Sequence, residues 1–179
     1  GLYLRGKGVA TYAYDQRGFG AAPNTGYWAG TEAYVDDLRA ATAALRAAYP
    51  DTPLFVMGES MGGAVAMAAF GGPNPPPADG TILIAPAVWG RETMGITKIV
   101  ALWVSVRTVP WMRLSGEGLD IGPSDNKEML RKLFRDPLVI KKTRVDTIWG
   151  LVNLMDEALD RARTFGPPSL ILYGENDEI

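Results

Sequence analysis

Gly58-Glu59-Ser60-Met61-Gly62 lies between an apolar run, Leu54-Phe55-Val56-Met57, and a stretch of small and apolar residues, Ala64-Val65-Ala66-Met67-Ala68-Ala69. The first reads as a buried strand and the second as a helix, so the pentapeptide falls on the turn between them. A serine between two glycines at such a turn takes a strained backbone conformation, and its hydroxyl is pushed out above the sheet edge. Both flanking glycines are expected to be needed, because a Cβ there would collide with the neighbouring strand or helix. Yet the chain has no histidine. A serine hydroxyl needs a base to act as a nucleophile at neutral pH. The sequence therefore holds one half of a reactive pair.

Outward from that turn, strand-like and helix-like patterns alternate. Val9-Ala10-Thr11-Tyr12-Ala13-Tyr14 is a β-branched and aromatic run that ends in a glycine-punctuated loop, Asp15-Gln16-Arg17-Gly18-Phe19-Gly20. From about Thr31 to Tyr49, Val35, Leu38, Thr42, Leu45 and Tyr49 fall on one helical stripe, which Pro50 stops. After the helix that ends near Phe70 comes a Gly/Pro loop, then Thr81-Ile82-Leu83-Ile84-Ala85 as a short buried strand. Near-continuous apolar strands alternating with helices predict a parallel sheet covered on both faces.

After Pro86 the alternation breaks. Residues 87–166 carry helical patterns and no convincing strand before Leu170-Ile171-Leu172-Tyr173, and they read as an inserted helical cap. The predicted organisation is thus a first part of the core over 1–86, the cap over 87–166, and a return to the core over 167–179. Within the cap, one helix runs from Ile96 to about Val106 and another from about Arg144 to Arg163. Asp125-Asn126-Lys127-Glu128 opens a shorter helix, and Asp136-Pro137 marks a turn. Lys98, Arg107 and Pro110 interrupt the first helix and argue against a membrane span.

Composition narrows the function. A net charge of −2 gives no basic face for nucleic acid. With neither cysteine nor histidine, the usual ligands for a zinc site are missing, so no metal is expected. Absence of cysteine fits a reducing, cytoplasmic compartment. The chain opens at Gly1 without an initiator methionine and stops at Ile179 just after a strand-like run, so it reads as an excerpt of a longer protein.

Four segments together resemble the monoacylglycerol lipase and lysophospholipase group of serine hydrolases within the α/β-hydrolase superfamily. They are the Asp15–Gly20 loop, the Gly58–Gly63 bend, Ser124-Asp125-Asn126 through Asp136-Pro137-Leu138, and Tyr173-Gly174-Glu175-Asn176-Asp177. The resemblance implies an α/β-hydrolase fold and a chain order of nucleophile, acid and histidine. It implies Ser60 as nucleophile and Asp177 as the acid, with the histidine downstream of Ile179. It also implies an oxyanion-hole donor in a loop upstream of Gly1. No cofactor is needed for that chemistry.

The residues can be read for chemistry on their own. Ser60 would attack an acyl carbonyl, and the backbone N–H of Met61 at the helix start would stabilise the developing oxyanion. Asp177 ends a strand at the side where α/β folds place their sites, although Gly-Glu-Asn-Asp is also ordinary turn chemistry. Asp15 and Arg17 read as a structural pair holding the loop beside the site. Glu59, adjacent to the serine, cannot readily fold back onto its hydroxyl. In the cap, Trp89, Trp103, Val106, Val109, Trp111 and Met112 supply more apolar surface than one buried helix face needs. Taken singly, each is better explained by packing. Taken together, they suggest an apolar roof over Ser60, with Trp89, Trp103 and Trp111 touching an acyl chain and the rim touching a membrane surface.

The expected reaction is hydrolysis of a lipid ester, a monoacylglycerol or lysophospholipid, by 179 residues that alone lack the base. An acyltransferase, a peptidase or a C–C hydrolase would share the same bend. A non-catalytic relative that binds a ligand would also show zero histidine.

Overall fold

The computed structural model describes residues 1–115 and 126–175. In chain order the elements are α1 (Leu2–Arg5), α2 (Thr31–Ala48), β1 (Phe55–Glu59), α3 (Met61–Phe70), β2 (Gly80–Ile84) and α4 (Ile96–Thr108). They continue with β3 (Arg113–Ser115), α5 (Lys127–Arg135), β4 (Lys142–Arg144), α6 (Val145–Arg161) and β5 (Ser169–Leu172). The main sheet has the order β1-β2-β5, all parallel.

α3 is the centre of the packing. It is apolar on every side, as a helix must be when it is covered all round, and every residue from Gly63 to Phe70 is buried. Its alanines let α2, α6 and β1 approach closely. Tyr34, Val35 and Leu38 of α2 and Leu154 and Ala158 of α6 close the cluster around it. α6 lies within the block expected as cap, yet its buried face packs on α3.

The loop after residue 15 is clamped between α2 and α6. Tyr34 donates to the Arg17 carbonyl at 3.1 Å and meets Trp28 edge-on at 4.9 Å. Thr147 donates to the Gly26 carbonyl at 2.9 Å. Arg17 pairs with Asp37 at 2.6 and 2.8 Å, and not with Asp15 as expected. Asp15 instead accepts the N–H of Ala21 at 2.9 Å, closing its own loop. The correction has a simple cause: α2 brings a carboxylate within reach from far along the chain, which local spacing does not reveal.

Three other expectations are corrected. Val9–Tyr14 forms no strand. Tyr12 is tied to the end of α2 by a 2.6 Å hydrogen bond to Tyr49, and a cavity of about 320 Å³ lined by Tyr12, Tyr14, Leu38, Leu45, Phe55 and Met57 lies between this segment and β1. A β-prone run becomes a strand only with a partner, and among the described residues it has none. Second, among the described residues β1 is covered on one face only: Val56 is buried against α3, whereas Phe55 and Met57 on the opposite face are more than half exposed. Third, the cap is not purely helical. β3 and β4 form a small antiparallel pair, Arg113 opposite Arg144, too short to leave a periodic signature.

Three carboxyls are held below the usual carboxylate range. Asp37 is lowered by its hydrogen bond from Arg17, and Asp146 by that from Arg144. Asp79 is lowered first by the Leu54 N–H and then by Arg46. A carboxyl lowered in the fold contributes stability above its unfolded pKa and loses it as pH falls through the folded value. The thermal midpoint should therefore be flat above about pH 5 and drop below about pH 4, and Asp146→Asn should shrink that drop. Separately, Leu154→Ala at the fully buried α3–α6 contact should cost about 2–5 kcal/mol by urea denaturation. A loss under 1 kcal/mol would show that this contact does not hold the core (about the size of a mild core trim).

Candidate active site

β1 must turn into α3 within one residue, and Ser60 is that residue. Its φ of 49° and ψ of −116° are costly for any side chain bearing a Cβ. Three backbone hydrogen bonds hold it there. Ser60 N–H donates to the Ile84 carbonyl of β2 at 2.9 Å, and the Ser60 carbonyl accepts from Ala64 at 3.1 Å and Ala87 at 3.0 Å. Ser60 occupies the N-cap position of α3 without making a side-chain capping bond, and it is exposed. The hydroxyl thus takes no part in capping the helix it begins.

Two glycines make the bend possible, and only one of them, Gly58, belongs to the expected pair. A Cβ on Gly58 would strike the Gly62 carbonyl group and come within 2.7 Å of the Gly63 nitrogen. A Cβ on Gly63 would come within 2.8 Å of Pro86 Cβ. At Gly62 a Cβ would meet nothing within 4 Å, so the expectation that it would collide is overturned. The chain crosses itself between residues 58 and 63, while position 62 faces open space.

The electrostatics follow from the helix start. The first N–H groups of α3, those of Met61, Gly62 and Gly63, have no acceptor within the helix. The positive end of the helix dipole points the same way. A negative oxygen beside Ser60 Oγ would meet both. Glu59 ends β1 exposed beside this bend.

The register of the sheet brings the last strand to the same edge. Glu59 lies opposite Ile84, and Ile84 opposite Leu172. At about 4.8 Å between strands, Leu172 is roughly 10 Å from the end of β1. Ala85 N–H donates to the Leu172 carbonyl at 2.8 Å, and Tyr173 donates to the Pro86 carbonyl at 3.3 Å. The chain leaving β5 therefore emerges beside the loop that touches Ser60. Asp177, expected as the acid, lies outside the described residues.

Trp89, Trp103 and Trp111 are at least 46% exposed, the most open being Trp111 at 64%. Trp103 carries the Arg107 guanidinium on its ring at 3.9 Å. α4 has no buried residue, and Ile96 and Val100 are also exposed. Among the described residues no three acidic or other metal-ligating side chains gather, and no helix is long and apolar enough to cross a membrane.

Sequence reading missed the loop after β2. Pro86 packs on Gly63, Ala87 holds the Ser60 carbonyl, and Ala85 itself has φ 40°. Farther along, Arg91 anchors this loop to α6. Its backbone N–H donates to Asp156 at 2.6 Å, its guanidinium pairs with the same carboxylate and reaches Asn153 at 2.7 Å, and it stacks on Trp149 at 4.4 Å. A Pro-Ala-Val-Trp-Gly run gives no local sign of these distant partners.

Comparison with known proteins finds relatives of this sequence and of this fold. The profile of the family Hydrolase_4, described as "Serine aminopeptidase, S33", matches residues 1–179. A monoacylglycerol lipase of Mycolicibacterium smegmatis is 25% identical over 175 residues, covering 96% of this chain and 61% of that protein. The crystal structure of Paleococcus ferrophilus monoacylglycerol lipase superposes with a TM-score of 0.75 at 22% identity, over 97% of this chain and 65% of that one. A soluble variant of monoglyceride lipase from Saccharomyces cerevisiae, in complex with a substrate analog, gives 0.68 at 22% identity, over 91% and 58%. The chain thus spans about three-fifths of the length of the curated relative it matches.

The glycine asymmetry can be checked directly. Gly62→Ala should fold with unchanged or slightly higher stability, since alanine is the better helix former by up to about 1 kcal/mol. Gly58→Ala should lower the thermal midpoint sharply or abolish soluble protein.

Proposed function

The chain belongs to the Hydrolase_4 family and has the α/β-hydrolase fold, and from that footing we propose that it cleaves carboxylic esters of lipids through an acyl-enzyme on Ser60. One observation carries the reading: an exposed serine held at φ 49° at the start of a buried helix. Such strain persists only where the surroundings enforce it, and it concentrates at functional sites.

In the proposed reaction Ser60 Oγ bonds to the ester carbonyl carbon while its proton passes to a base. The carbonyl oxygen becomes an oxyanion, which the Met61 N–H and the dipole of α3 stabilise. Collapse breaks the ester C–O bond, and the base returns the proton to the departing alcohol. Water then attacks the acyl-serine by the same route. The sequence has no histidine, so an imidazole base would come from polypeptide outside residues 1–179, and the family resemblance implies the same for the second oxyanion donor. Asp177 is proposed to orient that imidazole, and the emergence of β5 beside the Ser60 loop supports the assignment. Without the base, residues 1–179 alone should turn over esters negligibly, because triad members act as a unit.

The lipid part of the proposal draws on the relatives named above and on the exposed apolar surface of the cap, residues 87–166. Trp89, Trp103 and Trp111 are proposed to line the acyl channel, and the same rim to meet a lipid surface. The family's description as a serine aminopeptidase favours one alternative, attack on an amide.

Fluorophosphonate labelling of the full-length protein should be lost in Ser60→Ala, together with at least a 10³-fold fall in ester turnover. Across p-nitrophenyl esters, kcat/KM should rise with chain length, by up to about fourfold per methylene. A preference for acetate would refute the lipid assignment, and faster turnover of aminoacyl amides would favour the peptidase.

A further inference from the structure

We infer that Trp149, Asn153 and Asp156 of α6 form a remote positioning site for Ser60, acting through Arg91 and the loop after β2. The inference rests on the Ser60 reading above, but its mechanical part has a readout of its own.

The three residues are spaced i, i+4 and i+7, so they share one stripe of α6. Gly150, Leu154 and Ala158 lie on its buried side. That side fixes the depth of the helix: the Trp28 indole lies 2.4 Å from where a Cβ on Gly150 would be. The outward stripe takes a single residue, Arg91, by four contacts of different kinds. Asp156 accepts both the Arg91 backbone N–H and its guanidinium, Asn153 accepts a further guanidinium N–H at 2.7 Å, and the cation lies over the Trp149 ring. From the α4 side, Arg107 approaches the same ring at 5.9 Å. Gly90 lets the loop backbone close on α6, since a Cβ there would strike Asp156 Oδ1.

Magnitude decides what these contacts are for. The Arg91 and Asp156 side chains are 29% and 30% exposed, and a pair this open to water contributes little to global stability. What it fixes is place. Only three residues separate Arg91 from Ala87, whose N–H holds the Ser60 carbonyl at 3.0 Å. A turn stiffens the span between them: Gly90 N–H donates to the Val88 carbonyl at 3.0 Å, and Thr93 Oγ1 donates to the Gly90 carbonyl at 3.0 Å. With its far end released from α6, the loop would carry Ala87 off the Ser60 carbonyl and Pro86 off Gly63. A reacting atom displaced by about 1 Å can lose about 10²-fold in rate. A contact of small weight for the fold can thus have large weight for the reaction.

The test uses the full-length protein and diisopropyl fluorophosphonate, a probe with no acyl chain to reach the tryptophans. Asp156→Ala should slow labelling of Ser60 by about 10- to 100-fold. Asp156→Asn, which keeps an acceptor for the Arg91 N–H, should fall between it and wild type, as should Trp149→Leu. Arg46→Ala is the control. It breaks a similar pair, with Asp79 at 2.8 Å, at the far end of β1 and β2. It should lower the melting midpoint at least as much and leave labelling within twofold of wild type. Amide exchange supplies a readout that needs no chemistry: the Ala87 and Ser60 N–H groups should exchange at least tenfold faster in Asp156→Ala than in Arg46→Ala. Labelling of Asp156→Ala within twofold of wild type, or equal slowing in Arg46→Ala, would overturn the proposal. If Asp156→Ala does not fold, the same criteria apply to Asp156→Asn and Trp149→Leu. If the wild type is not labelled, the Ser60 reading fails and exchange alone decides. Unchanged exchange in Asp156→Ala then overturns the coupling, and faster exchange confined to this loop and bend upholds it.

Discussion

The bend at Ser60 is a backbone constraint before it is a chemical one. A residue with a Cβ at φ 49° is held only because its N–H is taken by β2 and its carbonyl by Ala64 and Ala87. Remove those partners and the chain would relax toward an ordinary strand or helix, carrying the hydroxyl back into the backbone. The parallel pairing of β1 with β2 supplies the first bond, the start of α3 the second, and the loop after β2 the third. The core around α3 exists to keep these three elements in register. Tyr34, Leu154 and Ala158 press α2 and α6 onto a helix whose alanines leave no slack.

Much of this is visible in the linear sequence because it is local. Leu54 through Ala69 encodes strand, turn and buried helix in sixteen residues, and the stripe on α2 is bounded by Pro50. What depends on partners far along the chain is not visible. Val9–Tyr14 has the composition of a strand and forms none, because β propensity expresses itself through neighbours. Arg17 finds Asp37 and not the nearer Asp15, since α2 decides which carboxylate it meets. β3 and β4, at three residues each, are shorter than any period that could announce them.

The site divides in the same way. The sharp bend at Ser60 was readable because it is a short-range motif. The roles of Gly62 and Gly63 were not, since only the packing of Pro86 shows which of them is crowded. Asp177 lies outside the described residues, and what supports it is the register of β5 against β2. The tryptophans illustrate the weakness of composition as a guide. An apolar surplus was evident, but spacing could not say that Trp103 would spend one ring face on Arg107.

The hydrogen bond from Ala87 to the Ser60 carbonyl ties the loop after β2 to the bend itself. Four residues later, Arg91 fastens the same loop to Asp156 and Trp149. A descendant that loosened this loop would also slacken the support of the bend at Ser60. Change along this loop would therefore be expected to trade away heat resistance, and lineages that escaped the trade would have to vary the chain farther out, beyond the Arg91 anchor.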